Sequence, residues 1–153
     1  MKIAYHHLLR FLVDKPSIED LSTKLFQLGH EHEIEDSIFD MEFTPNRGDC
    51  LSLLGLARDL NVFYKTNLDV PIYEDELAPL NLNFINQKME KCPEISFLNI
   101  QINDQVSEYK DYLNDYFRDF KINKNNFYTD VSNYVAYEMG QPTHSYDFSL
   151  IEI

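Results

Sequence analysis

The sequence predicts an α+β fold: a small helical N-terminal domain, then a partial mixed α/β domain. Three observations carry this. Four stretches repeat apolar residues at helical spacing, three shorter ones alternate with a period of two, and a connector separates a mainly helical first region from a mixed second one. The chain has 153 residues, with 44% apolar residues, ten Tyr and eleven Phe, enough for a core in one domain or two small ones. Four Gly and six Pro are too few for a low-complexity chain.

The first helix is read over "SIEDLSTKLFQLG". Ser17 and Asp20 form a capping box, Ile18, Leu21, Leu25 and Leu28 share a face, and Gly29 stands just past the end. In "SIFDMEF", Phe39, Met41 and Phe43 alternate with Asp40 and Glu42, the pattern of a half-buried strand. "TPNRGD" then turns. Asp49 is expected to cap a second helix carrying Leu53, Leu54, Ala57, Leu60 and Tyr64.

These elements make a first domain over residues 1–64. Residues 65–79, with two prolines and an acidic cluster, read as a connector. The second domain, residues 80–153, opens with alternating strands in "NLNFIN" and "SFLNIQIN". "SEYKDYLNDYFRDF" places Tyr109, Tyr112, Leu113, Tyr116, Phe117 and Phe120 at helical spacing. "DVSNYVAYEMG" reads as a further helix, with Asp130 as cap and Gly140 as stop, and "QPTHSYDFSLIEI" as a loop leading to a final strand. That strand has no successor to pair with, so the second domain is expected to be unfinished and an open edge suggests a homo-oligomer.

The net charge is −13, from 26 acidic and 13 basic residues. Nucleic-acid affinity rests largely on Lys and Arg against phosphates, so an RNA contact would need a local neutral patch or a second chain. The same charge serves solubility. Cys50 and Cys92 make neither a disulfide framework nor a metal site, as expected of a reduced cytoplasmic protein. No run of ~18 apolar residues exists to span a membrane, and His6, His7 and Arg10 interrupt a secretory pattern.

Several local patterns suggest sites. His30 and His32 would share one face of a strand, and two imidazoles can bind one metal. No third ligand is evident, so "GHEHEIE" reads as a polar turn and no metal is expected. His6 and His7 are neighbours and should point apart. The tripeptide Arg47-Gly48-Asp49 is read as a turn whose aspartate is engaged in capping, and the tyrosine stripe from Tyr109 to Phe120 as core packing rather than a stacking platform for bases. His144 follows a helix stop and Gln141-Pro142, on a loop held by a scaffold, where chemistry is often placed. By itself this leaves two readings open: a site residue, or an ordinary loop histidine.

"FTPNRGDCLSLLGLARDL", Phe43 to Leu60, resembles a signature of the bacterial phenylalanine–tRNA ligase beta subunit, and "DVSNYVAYEMGQPTHSYD", Asp130 to Asp147, is similar to a second one. The N-terminal "MKIAYHHLLRFL", with "IEDLSTKLFQLGHEHEIE" after it, is similar to that subunit's opening helical segment, and Cys92-Pro93 fits the start of its editing domain. The likeness implies an editing-type second domain. It also implies that the barrel that usually interrupts the first domain is absent after about residue 36, because Glu35 runs almost directly into Ser37. Gly48 stands where the family commonly has proline, which should loosen the turn.

In the family, ATP- and magnesium-dependent attachment of phenylalanine belongs to the alpha subunit, so no cofactor is expected in this chain. The beta subunit's editing domain hydrolyses tyrosine wrongly attached to the tRNA, an error that arises because an apolar pocket rejects an added hydroxyl poorly. The resemblance places His144 at the editing histidine, positioning the terminal ribose or the attacking water, with Asn133 and Gln141 as substrate-binding neighbours. The tRNA(Phe) 3′ end and the alpha subunit are the implied partners, the latter through regions beyond this sequence. The expected outcome is half a hydrolytic site, inactive alone. A stand-alone acidic binding module and a free-standing editing hydrolase remain the alternatives.

Overall fold

The computed structural model describes residues 1–69, 72, 77–103, 106 and 108–151. The acidic part of the connector, Ser107 at the start of a predicted helix and Ile153 at the end of the predicted final strand lie outside them.

The fold is α+β. Strand β1 (Lys2–Ala4) leads into a short helix α1 (Tyr5–Leu9), followed by α2 (Ile18–Gln27), β2 (Glu31–Glu35), β3 (Ile38–Glu42), α3 (Leu53–Leu60), α4 (Asp111–Asp119) and α5 (Phe127–Met139). Single 3-10 turns occur at Gly48–Cys50 and Phe148–Leu150. The sheet is antiparallel in the order β1-β3-β2. The N-terminal region therefore holds a three-stranded sheet as well as helices.

Helix α2 follows its sequence closely. The Ser17 hydroxyl accepts the Asp20 N–H at 3.2 Å, Leu21 and Leu25 are fully buried, and Gly29 takes φ +82° just past the end. Burying each leucine contributes about 1.5–3 kcal/mol before entropy is counted. In β3, Phe39 and Met41 are buried while Asp40 and Glu42 face solvent, as the alternation requires. The predicted polar turn at "GHEHEIE" is instead β2, paired along its length with β3. Its backbone groups bond to β3 through the alternate pairs of this antiparallel ladder whatever the side chains, which outweighs its charged composition.

The connection between β2 and β3 is the two-residue turn Asp36-Ser37, with φ of +48° and +64°. Two positive φ values match the right-handed twist of a hairpin. Glu35 pairs with Ile38 across it, so the chain closes tightly at the point where the resemblance places a missing barrel.

Two predicted caps are corrected. Asp49 does not cap α3; the buried Ser52 does, accepting the Gly55 N–H at 3.0 Å. An intervening 3-10 turn uses up the residues that a cap at Asp49 would need. Asp130 does not cap α5; Asn126 accepts the Thr129 N–H at 3.1 Å. Asp130 lies one turn inside, buried, accepting the Tyr109 hydroxyl at 2.7 Å and the Asn125 N–H at 3.1 Å. Gly140 does end α5, at φ +74°.

The strands predicted in "NLNFIN" and "SFLNIQIN" are not formed among the described residues. Leu98, Ile100 and Ile102 are 64%, 67% and 41% exposed. Alternation makes a strand only where a neighbour accepts its backbone bonds and a layer covers its apolar face, and the described residues offer neither. The predicted final strand is also not seen; Phe148–Leu150 form a 3-10 turn.

One cluster of buried side chains includes Ile3, Leu8, Leu21, Phe39, Leu56 and Leu60 from the N-terminal elements and Leu113, Phe117, Tyr134 and Tyr137 from α4 and α5. The tyrosines dock polar tips as well as rings. The Tyr137 hydroxyl accepts the Ala4 N–H at 3.3 Å, and the Arg10 guanidinium donates to Tyr134 at 2.5 Å. Tyr116 packs against Phe120 and Tyr137, so the stripe on α4 serves mainly as core.

Candidate functional site

The two motif stretches, far apart in sequence, pack together. Helix α3 lies against α5, and a Cβ built on Gly140 would stand 3.3 Å from the Ser52 Cβ and 3.4 Å from its hydroxyl. A side chain at the α5 stop would press on the α3 cap, so the glycine provides close approach as well as positive φ. Gly55 is tighter still: a Cβ there would sit 2.0 Å from the Asp49 carbonyl oxygen.

Past Gly140 the loop carries Gln141 and His144, both exposed, and Asn133 is exposed on α5. No hydrogen bond joins the three. The loop touches α5 instead through Ser145, whose hydroxyl lies 3.3 Å from that of Ser132 and 3.5 Å from the Tyr128 carbonyl. The Asp147 side chain accepts the Ser149 N–H at 2.9 Å and hydroxyl at 2.7 Å, opening the last turn rather than reaching His144. His144 has Tyr146 as its aromatic neighbour, ring centroids 6.4 Å apart. The arrangement presents an imidazole, a carboxamide and hydroxyls on an open surface beside a rigid helix. Such groups donate and accept hydrogen bonds to a polar ligand, but the chain encloses none here.

Two other clusters are built more densely. In the first, the Arg47 guanidinium donates to Asp49 at 3.1 and 3.2 Å and to Asp59 at 2.5 Å, with Cys50 Sγ 2.8 Å away. Arg58 also pairs with Asp49, and His30 Nε2 lies 2.9 Å from the Asp59 carboxylate. Asp49 is thus held by two arginines, not by backbone N–H groups at a cap. The hydrogen bonds from Arg47 bring its carboxyl down to about 2. Burial pushes Asp59 up, but the bonds from Arg47 and His30 outweigh it, and its carboxyl lies below the ordinary value. Burial and then Asp59 push the Cys50 thiol up to about 12, so it is a neutral, inert thiol at pH 7.

In the second cluster, His6 Nε2 and His7 Nε2 lie 2.8 and 3.0 Å from the same oxygen of Asp119 on α4. The neighbouring histidines therefore converge, against the expectation that they point apart. The backbone turns from β1 into α1 between Ala4 and Tyr5, and His7 is fully buried while His6 is half exposed. Burial, with His6 beside it, pulls the His7 imidazolium down to about 4, so His7 is neutral at pH 7. Sequence reasoning missed Asp119 as a partner because 112 residues separate it from His7. The expected His30–His32 pair also separates: His30 faces Asp59, while His32 bonds the Ser22 hydroxyl at 2.8 Å and stacks on Phe26.

The likeness read from the motifs holds in comparison with curated proteins. The chain is 30% identical over 150 residues to a phenylalanine–tRNA ligase beta subunit of Pseudomonas putida, covering 94% of this chain and 18% of that protein. It is 29% identical over 160 residues to that of Rhodopirellula baltica, covering 99% and 23%, and 31% identical over 123 residues to that of Fusobacterium nucleatum, covering 78% and 15%. The chain thus spans less than a quarter of the length of these relatives. No protein-family profile matches it, and no solved structure does. Among the described residues, no helix is long and apolar enough to cross a membrane.

Proposed function

We propose that this chain is a segment of a phenylalanine–tRNA ligase beta subunit that supplies one side of the site for hydrolytic editing of Tyr-tRNA(Phe). The observation that carries the reading is the packing of the two motif stretches on one another, α3 against α5 through Gly140 and Ser52, in a chain similar to these subunits over most of its length. That contact aims the loop bearing Gln141 and His144 from a fixed helix end. His144 is the residue assigned to position the terminal ribose or the attacking water, with Asn133 and Gln141 as polar contacts to the same substrate.

The open setting of these three residues supports a half-site. Hydrolysis needs water held in place and the reacting ester excluded from bulk solvent, and exposed side chains with no covering element do neither. The partners of this reading are the tRNA(Phe) 3′ end and the ligase alpha subunit, where ATP and magnesium do their work in the cytoplasm.

The test is a hydrolysis assay with Tyr-tRNA(Phe). The isolated chain is expected to release tyrosine no faster than buffer. A beta subunit carrying this segment together with the rest of an editing domain is expected to release it in a way that His144→Ala abolishes. Robust turnover by the isolated chain, lost in His144→Ala, would overturn the half-site and favour a free-standing hydrolase. Unchanged editing by the subunit bearing His144→Ala would remove His144 from the site. The binding arm is tRNA affinity against salt. With a net charge of −13 the chain alone is expected to bind weakly and with a shallow salt slope.

A further inference from the structure

We propose that His6, His7 and Asp119 form a site for a divalent transition-metal ion, zinc(II) being the best fit, which clamps the N-terminal segment to α4. Nε2 of each histidine and one oxygen of Asp119 all lie within 4.8 Å of one another. The two Nε2–oxygen distances are 2.8 and 3.0 Å. Ligand bonds of about 2.0–2.2 Å to zinc put neighbouring donors roughly 3.3 Å apart in a tetrahedral site. Small movements therefore make room for an ion, and His6, 46% exposed, is free to swing and close the remaining gap.

The decisive observation is what these atoms lack. His7 Nε2 and the facing Asp119 oxygen are buried, yet among the described residues neither makes an aligned hydrogen bond. Buried polar atoms are rarely left so, because each forfeits its hydration without compensation. An ion placed between them would satisfy both.

Their outer partners are already in place. The other nitrogen of His7 lies 3.0 Å from the Tyr137 hydroxyl, which also accepts the Ala4 N–H. When Nδ1–H donates to that hydroxyl, Nε2 is left as a lone pair aimed at Asp119. The second oxygen of Asp119 accepts from Arg118 Nε at 3.0 Å. Outer bonds of this kind fix the tautomer of a ligating histidine and the angle of a ligating carboxylate. The cleft beside Asp119 is lined by Glu33, Glu35, Asp36 and Asp40 against Lys2 and Lys121, a field that favours a cation. Three protein ligands with one exposed side leave coordination open to water. The donor set of two imidazoles and a carboxylate suits zinc or a similar ion better than calcium or magnesium.

The other dense cluster shows the contrast. His30, Cys50 and Asp59 also bring three ligand atoms within 4.8 Å, but Arg47 already supplies a cation there.

The test uses the full chain, stripped with chelator and titrated with zinc chloride by calorimetry at neutral pH. One equivalent is expected to bind and raise Tm. His6→Ala, at a half-exposed position, and Asp119→Asn, which keeps the side-chain shape, are each expected to weaken binding at least about tenfold, since even an outer-shell partner is worth that much. Cys50→Ser should leave it unchanged. Cobalt(II) in place of zinc is expected to show ligand-field bands without a thiolate charge-transfer band. The proposal is overturned if no saturable binding is found, if both ligand variants bind as the parent does, or if Cys50→Ser removes the site.

Discussion

The two histidine–aspartate clusters have nearly the same parts and different fillings. Each brings imidazole Nε2 to within 3.0 Å of an aspartate on a helix, Asp59 on α3 and Asp119 on α4. Each ties that helix to a segment distant in sequence. Around Asp59 a guanidinium sits among the acceptors and the thiol, and the result is a staple with its charges matched. Around Asp119 the Arg118 guanidinium bonds the outer oxygen, and among the described residues no side-chain cation stands between the imidazoles and the inner oxygen, where His7 Nε2 and that oxygen are left unbonded. The difference teaches that ligand-type residues alone do not make an ion site. What matters is whether the fold has already provided the positive charge.

The comparison breaks most sharply at the floor of the Arg47 staple. In Gly55→Ala the new Cβ would meet the Asp49 carbonyl at 2.0 Å, and rigid backbone must move. The better helix propensity of alanine returns at most about 1 kcal/mol, so a net loss of about 3 kcal/mol is expected in urea denaturation. An unchanged midpoint would show that the 3-10 turn bearing Asp49 shifts freely.

Arg47→Met tests the role of the filling itself. It removes the guanidinium bonded to Asp59 and Cys50 and leaves Asp59 only one arginine, Arg58, 3.9 Å away, so Tm is expected to fall further than in Arg58→Ala, whose arginine is half exposed. The variant should also gain a zinc site with a cobalt thiolate band that the parent lacks, made of His30, Cys50 and Asp59. A variant that loses stability without acquiring that band would separate the two clusters in kind. The pH dependence follows the same bond. Asp59 has its carboxyl below the ordinary 3.8 in the folded chain. Its contribution is complete above the unfolded value and is lost as pH falls through the folded one, so the parent should lose stability in acid below about pH 4. Arg47→Met should lose less over that window.

A smaller effect is expected in thiol chemistry. Cys92 is exposed and Cys50 fully buried, its thiol pushed up to about 12. A maleimide should label Cys92 in the native chain and Cys50 only on unfolding, read as one adduct by mass. Rapid labelling of both would mean that the staple opens readily. The smallest change lies near the Asp119 cleft, in the Asp36-Ser37 hairpin. Replacing the pair by Asn-Gly, which favours two positive φ values, should raise stability by about 0.5–1 kcal/mol in the same urea assay and leave zinc binding unaltered.

Much of this was legible in the sequence wherever the signal is local. The Ser17 cap, the Gly29 and Gly140 stops, the buried face of α2 and the alternation of β3 depend on residues a few positions apart, and each took the expected form. The likeness to ligase beta subunits was legible too, because two long motifs in order are specific. Tertiary structure decided the rest. Whether "SFLNIQIN" becomes a strand depends on a partner for its backbone, which no period within it can supply. Whether Asp49 caps a helix or holds two arginines depends on where a 3-10 turn points its carboxylate. That His6 and His7 meet Asp119 while His30 meets Arg47's aspartate depends on how α3, α4 and α5 pack on one another and on the N-terminal elements. Local patterns set which groups a chain can offer; only the closing of long loops sets which of them share a site.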